Sequence, residues 1–129
     1  MCIRDRVNIA GADLAEKVNL CAYPYEENES EFSKVGLTEI DSENINAPRV
    51  LEAPIQIECK LYKTLEIGNA GVGSSVVIVG EILKFHFKDE VYIDGKIVLE
   101  ELKPLARLAG RNYAKDFKVF ELERPKKID

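Results

Sequence analysis

The chain has no tryptophan, one histidine (His86), one methionine and three widely separated cysteines, Cys2, Cys21 and Cys59. With a lone histidine and no C-x-x-C pair, neither a Cys/His zinc cluster nor a disulfide framework is indicated. A Cys–His catalytic pair would have to recruit His86, which falls in a strand pattern. Cys21 and Cys59 sit among apolar residues and read as small hydrophobes. The reducing cytoplasm is therefore the default compartment. Long hydrophobic runs are also missing. Val76-Val-Ile-Val79 is only four residues, far short of the roughly 18 needed to cross a bilayer, and the N-terminus lacks a signal-peptide core. Basic clusters are absent too: Lys and Arg number 18 against 23 Asp and Glu, for a net charge of −5. That balance repels a phosphate backbone, so neither nucleic acid nor a membrane is an expected partner. Arg107 and Arg111 form a local basic patch suited to one small anion.

What is present suits one domain. The chain's 129 residues, 46% hydrophobic and 32% charged, can bury a core of moderate size. Residues 1–6, Met1-Cys-Ile-Arg-Asp-Arg6, are set aside as a non-native leader, with native sequence expected from Val7. Val7 to Ala10 is a strand end. Gly11-Ala-Asp13 then opens a helix, with Asp13 as N-cap and Glu16 at capping-box spacing. Leu14, Ala15, Val18, Cys21 and Ala22 form its apolar stripe, and Tyr23-Pro24 stops it. The acidic run Glu26 to Glu31 lacks the ligand spacing of a calcium loop and reads as solvated. Phe32 and Val35 belong to a short helix that Gly36 ends. Leu37 to Asn46 is a short strand and polar turn, closed by Ala47-Pro48.

From Pro54 the period becomes two. Ile55, Ile57, Cys59 and Leu61 alternate with Gln56, Glu58, Lys60 and Tyr62, which predicts a strand with one buried and one wet face. The glycine-rich run Gly68 to Ser75 lacks the lysine of a phosphate loop and joins two strands, so it reads as a hairpin connection. Val76 to Phe87 is the longest strand, with a bulge or bend expected at Gly80-Glu81. His86 alternates with Lys84 and Lys88 and is predicted to point outward. Lys88-Asp-Glu90 turns the chain into Val91-Tyr-Ile93, and Asp94-Gly95 is a tight hairpin turn. Leu99 to Leu108 looks helical, with Pro104 starting or kinking its second part. Lys118 to Leu122 is the last strand expected.

Several of these pieces, taken in order, resemble the flavin reductase-like family of FMN-binding split barrels, in its flavoredoxin-type branch. They are Val7-Asn-Ile9, Asn19-Leu-Cys-Ala22, Glu31-Phe32, Gly36-Leu-Thr38, Pro48-Arg-Val50, Pro54 to Lys60, Val79-Gly-Glu-Ile82, Arg107-Leu-Ala-Gly110, Tyr113 and Phe120 to Pro125. The resemblance implies an α+β, mainly β fold, a partial split barrel with flanking helices, residues 7–129 being the C-terminal portion of the domain. It also implies a homodimer binding FMN, with hydride passing from NAD(P)H to the flavin and on to free flavin or another electron acceptor. Arg107 and Arg111 would be the cationic groups, Phe32 and Tyr113 the aromatic walls, Asn19 an amide donor, and Gly110 a point of close backbone approach. Each also has a plainer role open to it: Phe32 in the core, Tyr113 as an anchor, Arg107 paired with Glu100 or Glu101 on one helix. Short two-component reductases carry a Gly-Asp-His triplet thought to serve nicotinamide binding. Here the corresponding loop is Gly68-Asn-Ala-Gly-Val-Gly73, without histidine, so a non-catalytic flavin-binding or dimerising barrel is the alternative. An OB-like barrel stacking bases on Phe85 and Phe87 is disfavoured by the net charge and by the apolar face those residues share.

Overall fold

The computed structural model describes residues 6–69 and 71–125. Cys2, most of the leader and the end of the charged tail lie outside the described residues. The organising element is a long antiparallel hairpin, β4 (Ile55–Ile67) with β5 (Ser75–Phe87). Both strands carry the period-two pattern and many β-branched residues, which suit a pleated surface. β1 (Arg6–Ile9) pairs on the other side of β4, giving a three-stranded sheet in the order β1-β4-β5. Arg6, assigned to the leader, thus begins β1. The hairpin loop is closed by the Ser74 amide donating to the Gly71 carbonyl (3.0 Å). The expected irregularity is present as two register shifts, one on each side of the Gly80-Glu81 pairing with Leu61 and Lys60.

Three short helices and three two-stranded ladders among the described residues complete the frame. α1 (Ala15–Leu20) follows a 3-10 turn (Ala12–Leu14), and α2 (Glu31–Val35) ends on Gly36 at φ 70°. β2 (Glu39–Ile40) pairs with β3 (Arg49–Val50), and β6 (Tyr92–Ile93) with β7 (Lys96–Ile97). Asp94 and Gly95 connect the latter pair with φ of 49° and 77°, the left-handed pair that a two-residue hairpin turn requires. α3 (Leu99–Leu102) leads to β8 (Ala106–Arg107) and β9 (Tyr113–Ala114). The core packs Ile55, Val91 and Leu102 together, with Ile9, Ile57 and Phe87 against them. The architecture is mainly β with small helices, and no sheet among the described residues closes into a complete barrel.

Five local expectations are corrected. Asp13 is no N-cap. The chain turns there in a 3-10 turn, fastened by the Ala12 amide on the Lys103 carbonyl (2.8 Å), and the α1 start has no side-chain cap. The α1 helix also stops at Leu20, before Ala22. The helix expected over Leu99 to Leu108 ends at Leu102: Lys103, forced out of helical geometry by Pro104, sits at φ 43°. The chain then runs extended, Pro104 bridging Gly11 and the Leu105 amide reaching the Ala10 carbonyl (3.0 Å). Lys118 to Leu122 forms no strand. Its alternation is right, but no neighbouring strand among the described residues supplies the ladder bonds. Finally, of the β4 face expected to be wet, Gln56 and Glu58 are covered, as described below, while Lys60 and Tyr62 are exposed as expected; Leu61, expected to be buried, is exposed as well.

Candidate functional site

The bridge between residues 10–12 and 103–105 lays the β8–β9 hairpin beside α1. Between them lies an open groove of about 560 Å³ lined by Ala15, Glu16, Asn19 and Ala22 from the helix side and Arg107, Gly110, Arg111 and Tyr113 from the hairpin. Arg107 and Tyr113 are directly opposite in the ladder. The guanidinium lies 5.0 Å from the tyrosine ring centroid, and its Nη1 donates to the tyrosine hydroxyl at 2.9 Å. Stacking and hydrogen bonding together fix a charge that a free arginine would leave to wander. The loop between the strands turns at Gly110 (φ 63°), which glycine adopts without strain. Arg111 has no ion-pair partner among the described residues. Glu16 is the groove's one carboxylate, so its lining is net positive.

Five of the six candidate residues therefore share one groove: Asn19, Arg107, Gly110, Arg111 and Tyr113. Phe32 does not join them. It sits on α2 beneath the Arg6 guanidinium, 5.9 Å from the ring centroid, outside the groove lining. Arg107 is not paired with Glu100 or Glu101, because the helix meant to carry all three ends before it. Ala15, Glu16 and Ala22 were not anticipated as lining. The helical period held part of the signal: Ala15 and Asn19 recur at i and i+4 on one face of α1, while Ala22 follows the helix end. Leu14, Val18 and Cys21 line a different, smaller apolar cavity. There burial, and then Glu31, raise the Cys21 thiol pKa, which suits a packing residue more than a nucleophile.

A second polar cluster was missed. Glu58 is fully buried (0% exposed) and Gln56 nearly so. Residues 41–48, between β2 and β3, fold as a strap over them. The backbone amides of Glu43 and Asn44 donate to the Glu58 carboxylate at 2.9 and 2.7 Å, and the Asn44 side-chain amide at 3.2 Å. His86 Nε2 lies 2.7 Å from the same carboxylate, and Arg49 Nε 3.8 Å. His86 is thus turned into this cluster and is not the outward surface residue expected. Burial alone would raise the Glu58 pKa. The Glu43 and Asn44 amides, His86 and the Asn44 side chain outweigh it and hold it at about 2. Among the described residues, no group of three or more His, Cys, Asp and Glu is placed to hold a metal ion.

The flavin reductase like domain model matches residues 6–103, most of the chain. The chain belongs to that family. An uncharacterised protein of Halalkalibacterium halodurans is 34% identical over 120 residues, covering 92% of this chain and 57% of its own length. The crystal structure of nitrilotriacetate monooxygenase component B from Bacillus cereus superposes with a TM-score of 0.84 at 37% identity, covering 91% of this chain and 58% of that one. Flavoredoxin of Desulfovibrio vulgaris (Miyazaki F) shares the fold, with a TM-score of 0.74 at 24% identity over 90% of this chain and 60% of that one. The split-barrel fold is thereby shown. The chain spans somewhat more than half the length of the relatives it matches. The groove reaches beyond the matched domain, since all four hairpin residues follow position 103. No helix among the described residues is long and apolar enough to cross a membrane.

Proposed function

We propose that this chain is the flavin-binding part of an FMN-dependent oxidoreductase that moves hydride between NAD(P)H and FMN, working as a cytoplasmic homodimer and passing electrons to free flavin or another acceptor. The observation that carries the proposal is the convergence of Asn19, Arg107, Gly110, Arg111 and Tyr113 on one groove. Its donor set fits a phosphate-bearing aromatic ligand. Arg107 and Arg111 would bind the phosphate through charge-assisted hydrogen bonds. Tyr113 would give the ring an aromatic wall, and Asn19 an amide to orient it. Gly110, lacking a side chain, would let the backbone approach closely. When bound, the flavin supplies the redox chemistry, which is why no catalytic triad is needed. Family membership and the likeness to a monooxygenase component support a flavin-related oxidoreductase. A second copy is supported by the apolar side chains exposed on the outer halves of β4 and β5, among them Leu65, Ile67, Val76 and Val77.

This chain spans only part of its relatives' length and is expected to be inactive by itself, so the test uses the complete protein: titrating FMN against protein fluorescence or flavin quenching tests the binding, and NADH or NADPH oxidation with FMN present tests turnover. Saturable binding that weakens in Arg107→Ala, together with turnover, is the expected result. A non-catalytic flavin binder is favoured by one observation: the 68–74 loop has no histidine, and His86 is engaged with Glu58. Binding without NAD(P)H oxidation would select that alternative, and a protein that ignores FMN would refute both.

A further inference from the structure

His86 stands between two carboxylates. Its Nε2 meets Glu58 at 2.7 Å, and its Nδ1 faces Glu43 at 3.8 Å. Glu58 lies on β4, buried, while Glu43 lies on the strap, exposed. The other charged groups around the imidazole are Lys84 on β5, paired with Glu43, and Arg49 on β3, whose Nε and Nη2 donate to the Asp41 carbonyl and whose Nη1 donates to Gln56. Apart from the imidazole, the cluster holds two carboxylates and two cations, so a proton on His86 decides its net charge.

The strap has few other ties to the sheet. Among the described residues its direct polar contacts with β4 and β5 are the bonds of Glu43 and Asn44 to Glu58, the Glu43–Lys84 pair and the His86–Glu43 approach, and Arg49 bridges the Asp41 carbonyl to Gln56. An ionised, buried Glu58 needs its donors, so a neutral imidazole must keep its one proton on Nε2. Nδ1 then offers only a lone pair, which repels the Glu43 carboxylate. A doubly protonated ring donates to Glu58 and draws Glu43 by charge across 3.8 Å.

We propose that His86 is a proton-operated clamp: as imidazolium it grips Glu58 and Glu43 together and tightens the 41–48 strap, and on losing its proton it keeps Glu58 and releases Glu43. The side chain is 15% exposed, enough to exchange protons with solvent without opening the fold. This device is independent of what the groove binds.

The test is an NMR pH titration of the folded protein, following the His86 ring, the Glu43 side-chain carboxyl carbon and amide exchange at Glu43 and Asn44, corrected for intrinsic exchange. The Glu43 carbon should show an inflection at the His86 midpoint, and protection of the two amides should fall roughly two- to fivefold as the ring deprotonates. In His86→Gln the inflection should vanish and protection should stay low at every pH. Glu43→Gln, a change at an exposed side chain, should remove the pH dependence while leaving the Asn44 amide protected. A Glu43 carbon indifferent to His86, or the same pH dependence in either variant, would overturn the proposal.

Discussion

Acidification should destabilise this protein markedly through Glu58. Its carboxyl has a pKa of about 2 in the folded state against 4.5 ordinarily. Between those values the unfolded chain binds the proton and the folded chain does not, so stability rises with pH across the window. The contribution is complete above pH 4.5, falls as the pH drops, and is gone below about 2. At about 1.4 kcal/mol per pH unit, it comes to about 3 kcal/mol. That is a large share of the roughly 5–15 kcal/mol by which domains are stable.

Glu58→Gln supplies the control. The amide presents an NH2 where two backbone amides already donate, so one donor faces another and the strap loses its acceptor. Near neutrality the variant should be less stable by roughly 2–4 kcal/mol. As the pH falls toward 2, protonated glutamate becomes equivalent to glutamine and the two curves should converge. Urea denaturation at a series of pH values, followed by far-UV circular dichroism, gives both curves. A constant gap between variant and parent across that window would refute the assignment of acid lability to Glu58.

Three other outcomes are expected. Arg107→Ala should weaken FMN binding about tenfold, the loss of one charge-assisted contact, as read by flavin fluorescence titration. In the same assay Tyr113→Leu should weaken binding roughly fivefold by removing both the ring and the group that holds Arg107, whereas Phe32→Leu should stay within about twofold. Gly95→Ala, at φ 77° with nothing near its Cβ, should cost about 1 kcal/mol of stability in chemical denaturation through backbone strain alone.

Patterns that depend on a few adjacent residues were readable in the sequence. The period-two runs and the Asp94-Gly95 turn gave the two hairpins, because turn geometry and pleat are local. Gly36 ended its helix for the same reason. Pro104 carried a readable signal that was given the wrong sense: proline restricts the residue before it, so Lys103 had to leave the helix and Arg107 had to lie on a strand. Lys118 to Leu122 shows the opposite case. Alternation makes a segment competent to be a strand, but only a neighbour's backbone makes it one.

The same distinction separates the two polar clusters. Arg107, Gly110, Arg111 and Tyr113 fall within one tight hairpin, so their proximity in sequence was nearly proximity in space; only α1 had to be brought alongside, by the Gly11–Pro104 bridge. Glu58 offered no such hint. Its partners come from 14 and 15 residues upstream and 28 downstream. Alternation places Gln56, Glu58, Lys84 and His86 on one face, and polarity alone says that face is wet. At Gln56 and Glu58 it is dry because the strap crosses it, and the strap is held there by the Glu43 and Asn44 amides, for which Glu58 is the acceptor. A glutamate in a strand's polar register therefore has two stable fates, and the choice between them is made by a loop of distant residues with backbone donors to spare.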